Sequence, residues 1–253
     1  MDVLKKGLTS YQLKIIGTIL MVLDHIHQMF YFVGAPIQLT MVGRLVAPIF
    51  LFLSTEGFTH TRNKKRYMLT LLTGFWICQI LFRIASILLP NDNVVLLNSI
   101  FGTLFLSVFT MWIYDKFFGK EKNVKLGLLA LIGFILLTIA PLLLLNISDA
   151  PWFVSLILLI PSPIVVEGGI NMILIALLMY IFRKTRWLQC IIIIASSLIF
   201  YLVDPTDVQW MMLFSIIPIF LYNGKEGHKE KWFFYSFYPV HILILYTIST
   251  VFF

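Results

Sequence analysis

The chain has 253 residues, of which 60% are hydrophobic and only 12% are charged. Soluble domains are typically about 45 to 50% apolar and about 25% charged, so this composition excludes an ordinary soluble enzyme and, despite the net charge of +7, a nucleic-acid-binding module. At about 20 apolar residues per membrane-spanning helix, the chain has room for about nine spans and little else. We expect one all-α integral membrane domain over residues 1–253.

Nine apolar runs are long enough to span a membrane, which predicts a polytopic helix bundle. In chain order they are Leu13–Val33, Leu39–Phe58, Tyr67–Leu89, Val94–Tyr114, Leu126–Asn146, Ile164–Phe182, Leu188–Val203, Val208–Tyr222 and Trp232–Phe252. The first run is too long for a signal-peptide core, and we expect it to remain as the first span. The apolar stretch Trp152–Ile160 is too short to span, so we expect a re-entrant or interfacial segment, which would be a tenth element if helical. The pair Gly168 and Gly169 predicts a helix break or close helix packing.

The basic residues alternate with the predicted spans. This topology collects 17 of the 19 Lys and Arg residues in loops on one side of the membrane. The loops on the other side contain Asp92, Asp149, Asp204 and Asp207 and no Lys or Arg. Basic loops remain on the cytoplasmic side. We therefore predict a multi-pass protein of a cytoplasmic membrane, with its amino terminus inside, its carboxyl terminus outside and the lipid bilayer around it.

Ionisable residues inside the predicted spans are the candidate functional groups, because such a group near the bilayer centre costs at least ~2.5 kcal/mol. They are Asp24, His25, His27, Arg44, Glu56, Arg83, Glu167 and His241. A helical rise of ~1.5 Å per residue puts His25 and His241 at one level, roughly 14 to 17 Å into a core of about 30 Å. The same estimate puts Arg44 and Arg83 in the outer half and Glu56 near the inner surface.

Each of these residues has a structural and a functional interpretation. A buried histidine either hydrogen-bonds within the bundle or acts as a general base for an attacking amine or hydroxyl. Asp24, which lies on a different helix face from His25, either orients a base or neutralises Arg44. Arg44 and Arg83 either bind a phosphate or oxyanion or serve as counter-ions for Asp24 and Glu56.

Two further patterns have a common structural explanation. The run Arg62–Arg66 is a topology determinant that also suits the steering of an anionic cofactor such as coenzyme A. Tyr235 and Tyr238 are typical of interfacial or packing aromatics. Cys78 and Cys190 lie in apolar runs, where a thiol behaves as a small buried hydrophobe, so we expect neither a disulfide nor a metal site.

Short motifs at both ends of the chain are similar to those of a known family. They are Asp24-His25, Gly43-Arg44 with Pro48 and Phe50, Glu56-Gly57 followed by Thr61, Arg62 and Tyr67, the terminal Tyr238-Pro239-x-His241, and Asn98 in the fourth span. On these residues the sequence resembles the TraX family of membrane acetyltransferases, and the hydropathy pattern is similar over nearly the whole chain. His27 departs from the family pattern, so we do not expect it to be catalytic.

The resemblance implies acetyl transfer from acetyl-coenzyme A in a bacterial cytoplasmic membrane. The founding substrate of the family is the amino terminus of a conjugative pilin, and the wider group of transmembrane acyltransferases modifies cell-surface glycans and other envelope molecules. The expected partners are therefore the lipid bilayer, acetyl-coenzyme A as donor substrate, and either a pilin or a cell-surface molecule as acceptor. No metal and no nucleic acid is expected.

The expected site combines three groups of residues. They are a catalytic group of His25, Asp24 and His241, a donor-binding group of Arg62, Glu56 and Arg44, and a group supporting the substrate or the structure, Arg83, Tyr238 and Asn98. Two alternatives remain, a proton-linked transporter or permease whose charges form a relay, and a catalytically silent scaffold. Transporters often have paired broken helices in inverted repeats, whereas only one break, near Pro161–Gly169, is visible here, which favours the acetyltransferase.

Overall fold

The fold was analysed in a computed structural model that describes residues 7–97, 99–120 and 122–253. Within these ranges the regular structure is helical, apart from an isolated bridge between Leu8 and Tyr222. The α-helices are α1 Ser10–Phe30, α2 Gln38–Gly43, α3 Val46–His60, α4 Lys64–Leu88, α5 Ile100–Phe118, α6 Val124–Leu145, α7 Pro151–Ile157, α8 Gly169–Ile181, α9 Arg186–Val203, α10 Ile216–Phe220 and α11 Lys231–Phe252. The segments Tyr31–Val33 and Val208–Ser215 are 3₁₀ helices.

Seven helical stretches in the described part of the chain are long and apolar enough to cross a membrane. They are α1 with its 3₁₀ extension, α2 with α3, and each of α4, α5, α6, α9 and α11. The helix α8 and the stretch Val208–Phe220 are also apolar but shorter. The predicted all-α polytopic membrane bundle is confirmed.

The alternating direction of these helices gives the bundle two different ends. The described loop residues 61–63, 119–120, 122–123, 182–185 and 221–230 lie at one end, which we call the basic end. The described loop residues 31–37, 89–97, 99, 146–150 and 204–207 lie at the other, the acidic end. Two hydrogen bonds support this arrangement. At the basic end the backbone amide of Leu8 donates to the carbonyl of Leu221 at 2.7 Å. At the acidic end the hydroxyl of Tyr31 donates to the carbonyl of Asn93 at 2.7 Å. At the acidic end, hydrogen bonds from the hydroxyl and amide of Thr206 lower the pKa of Asp204, which therefore remains ionised near neutral pH.

The predicted sixth span begins later than the sequence suggested. It was expected from Ile164, but α8 begins at Gly169, because Gly168 and Gly169 have φ of +70° and +59° and interrupt any helix before that point. The expected non-spanning segment contains the seven-residue helix α7, and the indole of Trp76 on α4 donates to the carbonyl of Leu159 at 3.0 Å. Residues 158–168 therefore form an irregular connection that packs against the bundle.

Two other predicted spans are also interrupted. The second is divided into α2 and α3 at Arg44 and Leu45. The eighth runs as a 3₁₀ helix through Val208–Ser215 and becomes α-helical only at Ile216. The 3₁₀ helix packs against the α2–α3 stretch, and Arg44 at the first interruption donates a hydrogen bond to Gln209 in the second. The functional groups at both interruptions are described below.

Burial separates central helices from peripheral ones. In the most apolar windows of the α2–α3 stretch and of α5, 56% of the residues are buried, against 6% in α6. The α2–α3 stretch and α5 therefore form the centre of the bundle, while α6 exposes its apolar side chains at the periphery. Such a distribution suits a lipid-facing helix, because lipid tails are as apolar as the side chains they cover.

The closest approach between α1 and α2 depends on a glycine. A Cβ atom built at Gly43 would overlap the side chain of Asp24. One turn earlier on α2, the hydroxyl of Thr40 donates a hydrogen bond to the Asp24 carboxylate. The missing side chain at position 43 therefore allows a buried carboxylate to fit between the two helices.

We predict that Gly43→Ala destabilises the protein by about 1 to 3 kcal/mol, because the added methyl group overpacks this contact. The matched control is Gly133→Ala on α6, where a Cβ atom would meet nothing within 4 Å; alanine there should leave stability unchanged or raise it slightly. Thermal unfolding of the purified variants in detergent measures the difference. Equal melting temperatures for the two variants would contradict the proposed close packing.

Candidate functional site

Two buried histidines meet between the first and last long helices. The Nδ1 atom of His25 on α1 and the Nε2 atom of His241 on α11 are 2.9 Å apart. Their side chains lie in the interior, with 6% and 7% of the residue surface exposed. The structure thus brings together two residues that the sequence placed at one depth. The last span provides a side-chain partner for His25, which also hydrogen-bonds the backbone of Met21 on its own helix.

The hydrogen bonds define which ring nitrogens carry protons. Nδ1 of His241 lies 2.8 Å from the carbonyl of Phe237, and since a carbonyl only accepts, Nδ1 is the donor. In the neutral ring Nε2 of His241 is then an acceptor, so Nδ1 of His25 donates to it. Nε2 of His25 then carries a lone pair, for which no hydrogen-bond donor is found among the described residues. The pair is therefore arranged so that His25 can act as a base while His241 holds its ring in place.

A small cavity of about 60 Å³, which we call the charged cavity, lies beside His25. Asp24, Arg44, Glu167 and Gln209 also line it. Asp24 accepts hydrogen bonds from Thr40 and, at 2.8 Å, from Gln28. It therefore lies in the same cavity as His25 without being its hydrogen-bond partner.

Arg44 shares the wall of the charged cavity with two carboxylates. It attracts both Asp24 and Glu167, and one of its terminal nitrogens donates to Gln209 at 3.4 Å. Its Nε atom is buried and has no hydrogen-bond partner in the described part of the protein. The break between α2 and α3 occurs at this residue, and the 3₁₀ helix supplies Gln209. The cavity thus contains two acidic groups, one basic group and an unused donor.

Tyr238 contacts both the histidine pair and Glu167, which belongs to the irregular segment 158–168. Its ring contacts those of His25 and His241 with centroids 5.9 and 5.8 Å apart. Its hydroxyl accepts from the amide of Ile100 at 3.2 Å and donates to the carboxylate of Glu167. The carbonyl of Glu167 accepts in turn from Thr103. These bonds, together with the glycine pair that follows Glu167, direct the carboxylate into the bundle.

A second, larger cavity of about 310 Å³, the long cavity, extends from Lys14 and Glu226 at the basic end towards the histidine pair. Met21, Ile100 and Tyr238 are in the walls of both the long and the charged cavities. The two cavities are therefore neighbours, and His25 is in the wall of the charged cavity. The wall of the long cavity also contains Ser54, which is 3% exposed and whose Oγ has no hydrogen-bond partner among the described residues.

The remaining expected site residues are not gathered at this point. Arg62 lines a separate pocket at the basic end. Glu56 interacts with Arg186 and with the hydroxyl of Tyr222, an arrangement that also suits a structural role. Arg83 is exposed on α4, and no hydrogen bond or ion pair of its side chain is found in the described ranges. Asn98 lies outside the described residues. His27, not expected to be catalytic, contacts the carbonyl of Ala35 at 3.1 Å.

Three residues of the site were not singled out from the sequence. Thr40, Gln209 and Ser54 are neutral polar residues in apolar surroundings, and such residues are common in membrane helices. Glu167 was noted as ionisable but had no assigned position or role. A Glu followed by two glycines after a proline pair is the one signal that pointed to it, because such a segment cannot continue as a helix.

Comparisons with known proteins agree with this picture. The family model described as TraX protein matches residues 9–249. The chain is also similar to the probable fimbrial assembly protein FimC, serogroup H1, of Dichelobacter nodosus, with 28% identity over 256 residues that cover 94% of each chain. No solved structure shows significant similarity to the sequence.

Proposed function

The chain belongs to the TraX family, and from this premise we propose that it is a membrane-embedded acetyltransferase. It transfers an acetyl group from acetyl-coenzyme A to an acceptor of the cell envelope, with His25 as the general base. The observation that carries the proposal is that His25, one of a buried pair of histidines, lines the charged cavity, which shares the wall residues Met21, Ile100 and Tyr238 with the long cavity. Direct transfer needs the donor and the acceptor side by side, next to a base.

His25 performs both proton transfers of the reaction. Its Nε2 takes the proton of the acceptor amine or hydroxyl as that atom forms a bond to the thioester carbonyl carbon. When the carbon–sulfur bond breaks, the thiolate leaves and receives the same proton from His25. His241 orients the ring and stabilises the imidazolium through the 2.9 Å contact. These proton transfers need no metal ion.

The long cavity is suited to the donor. It opens at the basic end beside Lys14 and Glu226. Further along, its wall combines the polar side chains of Ser54, Thr18 and Tyr67 with apolar ones such as Leu53 and Leu104. The acyl-bearing arm of coenzyme A has amide groups separated by methylene groups, and it needs this mixture of a few polar atoms in a largely apolar channel. Tyr238 lies at the end of this channel beside the base.

The charged cavity is suited to the acceptor. Asp24 and Glu167 attract an amine, while the unused Nε donor of Arg44 suits a carbonyl or the oxyanion of the reaction. The pilin substrate implied by the family and the fimbrial assembly function in the relative's name both favour a pilus-forming subunit. We therefore propose a pilin amino terminus as the first acceptor to test and another envelope molecule as the second.

The proposed location is the bacterial cytoplasmic membrane, with the basic end and the amino terminus in the cytoplasm and the carboxyl terminus outside. This orientation follows from the distribution of basic loops. It presents the long cavity to cytoplasmic acetyl-coenzyme A and the charged cavity to the envelope. Donor and acceptor then approach His25 from opposite sides of the membrane.

We predict that His25→Ala lowers the rate of acetyl transfer by about 10² to 10⁴, the usual contribution of a positioned general base. The assay follows release of free coenzyme A thiol, and mass spectrometry of a synthetic pilin amino-terminal peptide detects its acetylation. His241→Ala should lower the rate less, because the base remains but its ring is no longer held.

The matched control is His27→Ala, a change two residues further along α1 in a side chain that lines neither cavity. It should keep the wild-type rate. An unchanged rate in His25→Ala would exclude His25 as the base. Uptake of a solute by wild-type proteoliposomes without release of coenzyme A would instead support the transporter.

The orientation predicts which loops react with a membrane-impermeant maleimide. In a background with Cys78→Ser and Cys190→Ser, Asp92→Cys at the acidic end should be labelled in intact spheroplasts. Lys122→Cys at the basic end should be labelled only after the membrane is permeabilised. Both positions are exposed, so equal labelling in permeabilised cells serves as the control. The reverse pattern would invert the proposed topology.

A further inference from the structure

A pocket of about 540 Å³ at the basic end has no part in the chemistry described so far. We call it the basic pocket. It lies between the loop before α4, the end of α5 and the end of α8. Its six cationic wall residues are Arg62, Lys64, Lys65, Lys116, Lys120 and Arg183. Its volume is typical of small-molecule sites, which range from about 300 to 1,000 Å³.

Among the described residues of the wall, the one acidic residue is already neutralised. Asp115 forms an ion pair with Lys64 and accepts a hydrogen bond from the hydroxyl of Tyr180 at 2.8 Å. Arg62, Lys65, Lys120 and Arg183 therefore contribute positive potential to the pocket. The amino terminus of the 25-residue helix α4 adds to that potential, since Lys64 is its first residue.

Two of the cations are held in place by aromatic side chains. The guanidinium of Arg183 lies 4.1 Å from the ring centroid of Tyr180, and one of its nitrogens donates to the carbonyl of that residue at 2.8 Å. The ammonium of Lys116 lies 5.6 Å from the ring centroid of Trp112. Arg62, Lys65 and Lys120 are exposed around them. The pocket is thus a preorganised anion site with a flexible cationic rim.

The basic pocket is adjacent to the long cavity. Thr61 lies in the wall of both. Thr61 directly follows α3, and Leu51, ten residues earlier on that helix, is a wall residue of the charged cavity. Ten residues correspond to about 15 Å along the helix axis. A ligand that fills both spaces therefore has a polyanionic head at the basic end and a narrow, uncharged arm that extends towards His25.

We propose that the basic pocket binds the phosphates of the donor nucleotide, the adenosine 3′,5′-bisphosphate end of acetyl-coenzyme A. This inference rests on the proposed function, to which it adds the residues that recognise the donor. Coenzyme A has the required form, because its phosphates are at one end and its thiol is at the end of a flexible arm. Anionic lipid headgroups offer similar phosphate chemistry, but the pocket continues inward at Thr61 rather than along the lipid-facing surface.

The test compares three ligands on the full-length protein in phosphatidylcholine nanodiscs. They are adenosine 3′,5′-bisphosphate, which has only the head, acetyl-pantetheine, which has only the arm, and acetyl-coenzyme A. The variant Lys65→Glu/Lys120→Glu reverses two exposed charges in the wall. The control Lys125→Glu/Lys184→Glu reverses two exposed charges at the same end but outside the pocket.

The expected result is that Lys65→Glu/Lys120→Glu weakens binding of the bisphosphate and raises the KM for acetyl-coenzyme A at least tenfold. The KM for acetyl-pantetheine should be unchanged, and the control pair should alter each value less than twofold. Bisphosphate affinity should also fall with added salt. If the double reversal lowers the melting temperature, Lys65→Gln/Lys120→Gln replaces it, with a smaller shift in the same direction.

Three results would overturn the assignment. The first is that the bisphosphate does not bind. The second is that Lys125→Glu/Lys184→Glu weakens bisphosphate binding as much as Lys65→Glu/Lys120→Glu does. The third is that phosphatidylglycerol in the nanodiscs abolishes bisphosphate binding, which would identify a lipid site. Failure of the proposed reaction is distinguishable from these outcomes. If the bisphosphate binds, the charge reversal weakens that binding and no acetyl transfer occurs, the basic pocket is a phosphate site but the proposed reaction is wrong. If acetyl transfer occurs and its KM for acetyl-coenzyme A is unchanged by the charge reversal, the reaction stands but the assignment of the basic pocket is wrong.

Discussion

A hydrogen bond between two buried imidazoles joins the first long helix to the last, across 216 residues of sequence. The charged cavity lies against one of these rings, and Tyr238, whose ring contacts both, is in the wall of the long cavity. A second bond between the same helices, from the hydroxyl of Ser249 to the carbonyl of Met29 at 2.7 Å, holds them together closer to the acidic end. The position of the other helices relative to the site depends on this junction.

Some buried polar groups of the bundle have no hydrogen-bond partner in the part of the chain that the structure describes. Asp24 is paired with Thr40 and Gln28. Arg44 and Ser54 each keep a buried atom with no hydrogen-bond partner in the described residues, and each lies in a cavity wall. The hydroxyls of Ser107, Ser197 and Ser215 are also buried without a partner among the described residues, but they line none of the three cavities described above. An unpaired buried donor or acceptor costs about 1 to 3 kcal/mol. Its position beside a cavity is explained if a ligand completes the bond.

The sequence predicted the helical class, most spans and the common depth of His25 and His241, because hydropathy and helical rise determine these properties directly. It did not predict where helices are interrupted. Gly168 and Gly169 shorten α8, and the segment Val208–Ser215 winds as a 3₁₀ helix although its composition matches an ordinary span. Composition records how apolar a segment is, whereas continuity depends on local dihedral angles and on neighbouring helices. Side-chain partners, such as that of Glu56, likewise depend on helix rotations that periodicity alone leaves open.

The separation of the two histidines along the chain also has a consequence for how the protein is made. The α1 helix is synthesised long before α11, so α1 enters the membrane with Asp24 and His25 before the imidazole partner of His25 exists. Polar groups at that depth are costly in lipid. The early helices must therefore stay close to the insertion machinery, or shield one another, until the final helix arrives. The site is complete only once α11 has entered the bundle, and a chain without α11 leaves His25 without the imidazole of His241.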